Sequence, residues 1–221
     1  MILITGHKGY IGTRLFDKLK DVIGIDLKDG KNLLTCDLPK NIDIIYHLAA
    51  QSSVESSWQD TLHDLDNIRI TARLVKEYPN TKIIYANSCA SISKESPYGF
   101  SKGVSGEYLL KFHSNVVNCI FPNIYGYNSK SVVDIFKNQD EVTIFGDGNQ
   151  TRDYVHLDDI VEGLILAKDW DSGTYFMGSG KSMTVNELAR GKKIIYAPAR
   201  KEAYEVSVPN TTPNWLPKIK L

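Results

Sequence analysis

The opening of the chain constrains the fold most, because it combines a short apolar strand, a glycine-rich turn and an amphipathic helix. Met1–Thr5 is an apolar, branched run of strand length, and glycines follow at positions 6, 9 and 12 before an amphipathic stretch over 13–19. In this context Gly6 permits a tight turn, Gly9 lets the backbone approach a pyrophosphate, and Gly12 lets the helix pack closely on the strand. The N–H groups and the dipole at the helix N-terminus favour such an anion. The opening therefore predicts a dinucleotide-binding unit, and the alternative is that the glycines only punctuate a loop.

A second apolar run ends in an acidic residue suited to a ribose. Val22–Ile25 is followed by Asp26, twenty positions after Gly6. A carboxylate there accepts hydrogen bonds from both ribose hydroxyls and repels a 2′-phosphate, so NAD is favoured over NADP. Lys8 and Lys28 leave NADP open as an alternative.

Strand and helix patterns alternate from residue 1 to about residue 125. The apolar segments 42–48, 82–86 and 116–121 are predicted to be further buried parallel strands, and 61–78 and 98–113 are predicted to be helices between them. This order predicts an α/β fold with a doubly wound parallel (Rossmann) sheet, whose ligands bind beyond the carboxyl ends of the strands. Shorter elements follow residue 126, at 142–145, 159–168 and 193–196.

Composition and charge exclude several classes of partner. The 221 residues carry a formal net charge of zero, with no basic run interleaved with aromatics, so nucleic acid is not expected as a partner. The apolar start is too short for a signal peptide or a membrane span. Cys36, Cys89 and Cys119 form an odd set without CxxC spacing, which favours reduced thiols and a cytoplasmic location. The histidines show neither HxH nor HExxH spacing, so no metal is expected.

A tyrosine and a lysine four residues apart form the candidate acid/base pair. Tyr98 and Lys102 lie on one face of the predicted helix 98–113, so both side chains can reach one pocket. Lowering the pKa of a tyrosine from about 10 by roughly three units requires about 4 kcal/mol. A neighbouring lysine and a cationic cofactor ring can supply this by charge proximity. The spacing alone is common, and its weight comes from the dinucleotide unit upstream.

Together these motifs resemble the extended short-chain dehydrogenase/reductase family, the NAD-dependent nucleotide-sugar epimerases and dehydratases, of which this chain would be an unusually short member. The segment 146–159, GDGNQTRDYVHLDD, is similar to the GDGxxxRDxxxxxD signature of the nucleotide-sugar enzymes, and 121–126 resembles the RPxNVYG segment without its arginine. The resemblance implies a NAD-binding Rossmann domain over 1–126 and a small substrate-binding lobe over 127–221, with a soft, partly interleaved boundary.

The resemblance also implies the cofactor-binding and catalytic residues. The cofactor set comprises the glycine turn, the strand ends and the tyrosine helix: Gly6, Lys8, Gly9, Tyr10, Ile11, Gly12, Asp26, Asp37, Leu38, Leu48, Ala49, Ala50, Tyr98 and Lys102. Ser88, at the end of the strand before the tyrosine helix, is expected to hydrogen-bond the substrate and to complete the catalytic set with Tyr98 and Lys102. Ser91 and Cys89 are lesser candidates, and Ser88 has the alternative role of a turn former.

Three residues in the second half of the chain are candidates for binding the nucleotide diphosphate. Arg152 is the first, since a guanidinium offers a bidentate fork to phosphate oxygens. A surface salt bridge with Asp153 is the alternative for it. By resemblance Asn123 binds the phosphate or the sugar, unless it only forms a turn beside Pro122, and Arg200 is a second diphosphate arginine.

The resemblance implies a reaction like that of UDP-glucose 4-epimerase. Hydride passes from C4 of the sugar to NAD while Tyr98 takes the hydroxyl proton, and the 4-keto sugar turns over and takes the hydride back on its other face. A 4,6-dehydratase needs an additional Asp-Glu acid/base pair just after the catalytic hydroxyl residue, where Cys89 and Ala90 stand. Dehydration is therefore disfavoured.

Two further alternatives stay open. A reductase of the GDP-fucose synthase kind would match the segment 87–89, but it normally uses NADPH, which Asp26 disfavours. A catalytically silent dinucleotide-binding module would be expected to lose Tyr98 or Lys102. By resemblance a homodimer through helices 61–78 and 98–113 is expected; the sequence names neither the base nor the sugar of the substrate.

Overall fold

The computed structural model describes residues 1–127, 131–199 and 208–221. These residues form two compact units. The first comprises Met1–Ile120 and Val161–Tyr175, and the second comprises Phe121–Ile160 and Phe176–Leu221. Helix α7 (Leu157–Leu166) contributes to both.

A six-stranded sheet forms the centre of the first unit. Its strands are β1 (Ile2–Thr5), β2 (Val22–Ile25), β3 (Ile44–His47), β4 (Lys82–Ser88), β5 (Val116–Phe121) and β9 (Gly173–Phe176), in the order β2-β1-β3-β4-β5-β9. Strand β1 pairs in parallel with β2 and β3, and β3 pairs in parallel with β4. The chain order reverses beside β1, and the carboxyl ends of β1 and β3 form the crevice where such sheets bind ligands. The predicted doubly wound sheet is confirmed.

Five helices accompany this sheet along residues 1–120. They are α1 (Tyr10–Lys18), α2 (Val54–Gln59), α3 (Thr61–Glu77), α4 (Ala90–Ser93) and α5 (Pro97–Phe112). Helix α3 begins after Asp60, whose carboxylate accepts hydrogen bonds from the N–H groups of Leu62 and His63. Helix α5 begins after Ser96, whose hydroxyl accepts from Gly99 N–H. Both helices lie within one residue of the predicted bounds.

The core of the first unit lies under the sheet and packs against α3 and α5. Leu3, Ile45 and Ile83 come from neighbouring strands and are fully buried together with Leu74 and Leu109. Helices α3 and α5 bury Leu74 and Leu109 here and leave other apolar side chains exposed, Leu62 and Phe100 among them. Because each helix follows a strand of the parallel sheet, its amino-terminal turn lies near the carboxyl edge of that sheet.

The second unit contains two small sheets. Strands β6 (Asn123–Tyr125), β8 (Thr151–His156) and β10 (Ser182–Thr184) form one, and β7 (Glu141–Phe145) and β11 (Lys193–Ala197) form the other. Helices α6 (Val132–Lys137) and α8 (Val185–Leu188) complete it. Phe136, Val142 and Ile144 pack with Val185 and Ala189 in its core.

Among the described residues, no helix has the length and apolar character needed to cross a membrane. The same parts of the chain contain no cluster of three or more His, Cys, Asp or Glu side chains placed to hold a metal ion.

Candidate cofactor and active site

The glycine turn at the carboxyl end of β1 is shaped by close backbone approaches. Gly6 has a φ of +75°, and a Cβ there would lie 2.8 Å from the backbone nitrogen of Ala49. A Cβ on Gly12 would lie 2.1 Å from the carbonyl oxygen of Gly6. Neither position can carry a side chain, because backbone atoms cannot yield as a flexible side chain can. The turn is therefore a cradle of bare backbone that leads directly into α1.

A cavity of about 500 Å³ opens at this turn. Its walls include most of the residues predicted to bind the cofactor: Gly6, Gly9, Tyr10, Ile11, Gly12, Asp26, Leu48, Ala49 and Ala50. A backbone cradle at a helix N-terminus with an acidic residue at the end of β2 fits the pyrophosphate and ribose of a dinucleotide. Lys8, Asp37, Leu38, Tyr98 and Lys102 are not among the residues that line this cavity.

The ribose end of the cavity is fixed by hydrogen bonds to Asp26. Its two carboxylate oxygens accept from the backbone N–H groups of Lys8 and Lys28, each at 2.9 Å. The Lys28 ammonium in turn donates to the carbonyl of Lys8 at 2.8 Å. The Lys8 ammonium forms an ion pair with Asp29, and this hydrogen bond holds the pKa of Asp29 below its ordinary value. The charge of Lys8 is thus balanced by Asp29, while Asp26 keeps lone pairs for ribose hydroxyls.

The wall beside this end comes from residues that sequence reasoning missed. Asn32, Leu33 and Leu34 line the cavity. The Arg73 guanidinium holds this segment by donating to the carbonyls of Leu33 at 2.5 Å and Cys36 at 2.7 Å. The roles predicted for Asp37 and Leu38 remain predictions.

Helix α3 also contributes residues that were not predicted. His63, Asp66, Asn67 and Ile70 line the cavity. Their spacing in the sequence could have indicated this shared wall, because residues three, four and seven positions apart lie on one face of a helix.

The three predicted catalytic residues lie at the end of β4 and in the first turns of α5, which packs against β4. Ser88 ends β4, and its hydroxyl oxygen accepts from the N–H of Ala90 at 3.2 Å. Tyr98 lies in the first turn of α5 and is 9 % exposed, whereas Lys102, one turn later, is 3 % exposed. The helix therefore carries both side chains on its buried face.

The Lys102 ammonium lies inside the first unit. It donates to the carbonyl oxygen of Ala86 at 2.5 Å and lies 4.1 Å from the centroid of the Tyr85 ring. Burial lowers the pKa of Lys102 to about 7. Two of its three N–H groups remain for other acceptors after the bond to Ala86.

In the second unit, the predicted substrate residues lie on neighbouring strands. Asn123, on β6, donates to the carbonyl of Asp153 at 3.3 Å, and Arg152, on β8, donates to the carbonyl of Thr151 at 2.8 Å. The buried carboxylate of Asp153 accepts two hydrogen bonds from Ser179, at 2.9 Å from its N–H and 2.5 Å from its hydroxyl. Asn123 and Arg152 therefore extend from one small sheet. Arg200 lies outside the described residues.

Comparison with known proteins places these features in a family. The sequence model of the NAD dependent epimerase/dehydratase family matches residues 2–176. A UDP-glucose 4-epimerase of Mycolicibacterium smegmatis is 29% identical, over 84% of this chain and 79% of the relative.

Two solved structures share the fold along almost the whole chain. The UDP-glucose 4-epimerase of Thermotoga maritima, solved with UDP-glucose, superposes with a TM-score of 0.86 at 26% identity, over 99% of this chain and 94% of the other. The UDP-N-acetylglucosamine 4-epimerase of Methanobrevibacter ruminantium, solved with UDP-N-acetylmuramic acid, gives 0.82 at 26% identity, over 95% and 88%.

Proposed function

Since this chain belongs to the NAD-dependent epimerase/dehydratase family, with NAD as its cofactor, we propose that it epimerises a nucleotide-diphosphate sugar at C4. The observation that carries the choice of reaction is the sequence after Ser88. There the acid/base pair expected of a dehydratase is replaced by Cys89 and Ala90, which are both buried at the start of α4. A thiol and a methyl group do not supply the Asp-Glu carboxyl pair that a dehydratase uses to eliminate water, whereas epimerisation uses the Tyr98 proton transfer without that pair.

Bound NAD supplies the hydride acceptor for the sugar carbon. Tyr98 takes the proton of the C4 hydroxyl during oxidation and returns it during reduction. The Lys102 ammonium stabilises the tyrosinate by its charge and offers its remaining N–H groups to the nicotinamide ribose. Ser88 donates its hydroxyl hydrogen to the substrate oxygen, and the Gly6–Gly12 turn and Asp26 hold the pyrophosphate and the adenosine ribose.

For the substrate we propose a uridine-diphosphate sugar. The support is that the relative and both solved structures named above are epimerases of such sugars. Arg152 is the proposed ligand of the diphosphate, because its guanidinium matches two phosphate oxygens. Asn123 and Arg200 are proposed to bind the phosphate or the sugar beside it.

We also propose that the protein is a homodimer that pairs through α3 and α5. The support is the apolar surface on these helices, where Leu62 and Leu65 are joined by Phe100, Leu110 and Phe112 as exposed side chains. Light scattering of the wild type and of Leu62→Glu tests this pairing. A monomeric mass for the wild type would refute it.

The reaction is tested by proton NMR with purified protein, NAD, and a panel of UDP-, GDP- and dTDP-sugars. The wild type is expected to form the C4 epimer, and Tyr98→Phe is expected to lose it. Tyr108→Phe, on the same helix, is the matched control and should retain turnover, since phenylalanine keeps the ring that packs against Phe112 with centroids 4.7 Å apart. A 4-keto-6-deoxy product would contradict the inference from Cys89 and Ala90. Turnover that requires NADPH and a keto sugar would favour a reductase, and tight NAD binding with no product would favour a silent binding module.

A further inference from the structure

A series of buried hydrogen bonds leads from the cofactor loop into α3. The N–H of Ala49, in the wall of the cavity, donates to Thr5 Oγ1 at 3.2 Å. Thr5 Oγ1 lies 2.8 Å from His47 Nδ1, and His47 Nε2 lies 3.2 Å from Thr71 Oγ1. The Thr71 hydroxyl donates to the carbonyl of Asn67 at 2.8 Å. The loop after β3 is thus bonded through three side chains to the middle of α3.

The series continues from α3 to the first turn of α5. Asn67 Nδ2 donates to Ser101 Oγ at 3.0 Å, and Ser101 Oγ donates to the carbonyl of Tyr98 at 2.9 Å. Asn67 Oδ1 also accepts from the N–H of Gln51 at 2.9 Å. A second contact with the cofactor loop therefore enters the series at Asn67.

The donors and acceptors at the two ends fix the direction of the bonds at His47. A backbone N–H can only donate, so Thr5 Oγ1 accepts from Ala49, and its own hydrogen is available for His47 Nδ1. The Thr71 hydroxyl gives its hydrogen to Asn67, so it accepts from His47 Nε2–H. His47 is therefore the neutral tautomer that carries its proton on Nε2, and both ring nitrogens are satisfied.

The surroundings keep His47 in that state. Thr5, His47, Thr71, Asn67 and Ser101 are each at most 3 % exposed. Burial, and after it the charge of Lys102, lowers the pKa of His47 to about 3. The imidazole therefore stays neutral throughout the neutral pH range, and the direction of the bonds does not change there.

We propose that this series of hydrogen bonds, from Ala49 to Tyr98, is a positioning device that couples the cofactor loop to the tyrosine turn. His47 and Thr71 are its positioning residues, and they contact neither substrate nor reacting atoms. The part that concerns catalysis rests on the proposed function, because it takes Tyr98 as the acid/base. The physical argument is that a buried polar network with every member satisfied holds its members in one arrangement, whereas a broken link leaves a costly unpaired group and releases both ends.

The first test compares two substitutions at Thr71, which separate the hydroxyl from the shape of the side chain. Thr71→Val removes the hydroxyl, and we expect it to weaken NAD binding and to lower kcat, each by about tenfold, with little change in the KM for the sugar. Thr71→Ser keeps the hydroxyl, so its NAD affinity and its kcat are expected to lie within about twofold of the wild-type values. A Thr71→Val variant that unfolds at lower temperature but keeps NAD affinity and kcat would show that the network is only structural and would overturn the proposal.

The second test asks whether the two ends act as one unit. Ser101→Ala lies on α5 and outside the cavity wall, yet it is expected to weaken NAD binding, measured by calorimetry on nucleotide-free protein. Ser105→Ala removes another buried hydroxyl one turn later on α5 and is the matched control without an effect on NAD. If the two residues belong to one series, the double variant Thr71→Val/Ser101→Ala should lose no more NAD affinity than the single variant with the larger loss. Independent effects on NAD affinity would add instead. Additive losses, or full NAD affinity in Ser101→Ala, would overturn the coupling.

The NAD measurements need no sugar, so they decide the coupling separately from the reaction. If the wild type turns over no sugar, the proposed function fails while the NAD affinities still test the network. If Thr71→Val does not fold, Ser101→Ala and Thr71→Ser carry the test, and normal NAD affinity in Ser101→Ala then overturns the proposal.

Discussion

Replacing Lys102 with methionine should make the protein more stable while abolishing its activity. Burial lowers the pKa of Lys102 from 10.5 to about 7. At about 1.36 kcal/mol per unit, a charged Lys102 costs the folded state roughly 5 kcal/mol. Methionine removes this cost. The folded pKa already includes what the ammonium gains from the Ala86 carbonyl and the Tyr85 ring, so methionine further loses only the hydrogen bond that a neutral amine would keep, about 1 kcal/mol. We therefore expect Lys102→Met to raise the free energy of unfolding by about 4 kcal/mol below pH 7.

The same pKa shift gives this gain a defined pH dependence. Because the folded pKa of Lys102 lies below the unfolded value, the unfolded state binds more protons between pH 7 and 10.5, and the wild type gains stability as the pH rises through that window. The slope is at most about 1.4 kcal/mol per pH unit. Methionine does not titrate, so the advantage of the variant should shrink above pH 7 and disappear at about pH 10.

Urea denaturation of nucleotide-free protein at pH 6.5, 8 and 9.5 measures this difference. Lys111→Met changes an exposed lysine of the same helix and is the matched control, for which no pH-dependent difference is expected. A difference between Lys102→Met and the wild type that stays constant over the three pH values would refute the reasoning. So would a variant that is less stable than the wild type at pH 6.5.

Three further substitutions test other parts of the site. Gly12→Ala places a Cβ 2.1 Å from a backbone oxygen, so it should abolish NAD binding in calorimetry and destabilise the fold by about 2 kcal/mol. Asp26→Asn removes the charge that repels a 2′-phosphate, and the ratio of the Kd for NADP to that for NAD should fall by about tenfold; an unchanged ratio would exclude Asp26 as the discriminating residue. Asp64 is 2 % exposed, and burial raises the pKa of its carboxyl, which the charge of His63 and a hydrogen bond from Ser101 offset only in part. The raised folded pKa means that stability is lost as the pH rises above the unfolded value near 4, so Asp64→Asn should stabilise the protein by about 1 kcal/mol at pH 7 but not at pH 3, as measured by urea denaturation.

Much of the fold could be predicted because it follows from local patterns. The apolar run 116–121 coincides with β5, and the helices predicted at 61–78 and 98–113 correspond to α3 and α5 within one residue. The strand β9 was not predicted. It is four residues long, begins with a glycine and joins the sheet beside β5, a pairing that depends on contacts far apart in sequence.

The candidate site was predicted less completely than the fold. The glycine spacing gave the cradle, because its geometry is local. The wall at Leu33 and Leu34 depends on the Arg73 guanidinium about forty residues away, which no local pattern records. The i,i+4 spacing placed Tyr98 and Lys102 on one helix face, but it could not give the depth at which the Lys102 ammonium meets the Ala86 carbonyl.

The network through His47 shows the same limit. Its members Thr5, Thr71 and Ser101 look like ordinary hydroxyl residues in the sequence. They meet because β1 and β3 pair with Thr5 opposite His47, and because α3 packs against α5. Sequence spacing alone contains neither relation.

The central claim is that the sugar is oxidised and reduced at the same carbon within one active site. The most direct test is to convert UDP-glucose labelled with deuterium at C4, in the presence of unlabelled NAD, and to examine the product by NMR. The account predicts the C4 epimer with the deuterium still on C4, because the hydride that leaves the carbon is the one that returns to it. A product with hydrogen at C4, or a dehydrated 4-keto product, would contradict the account.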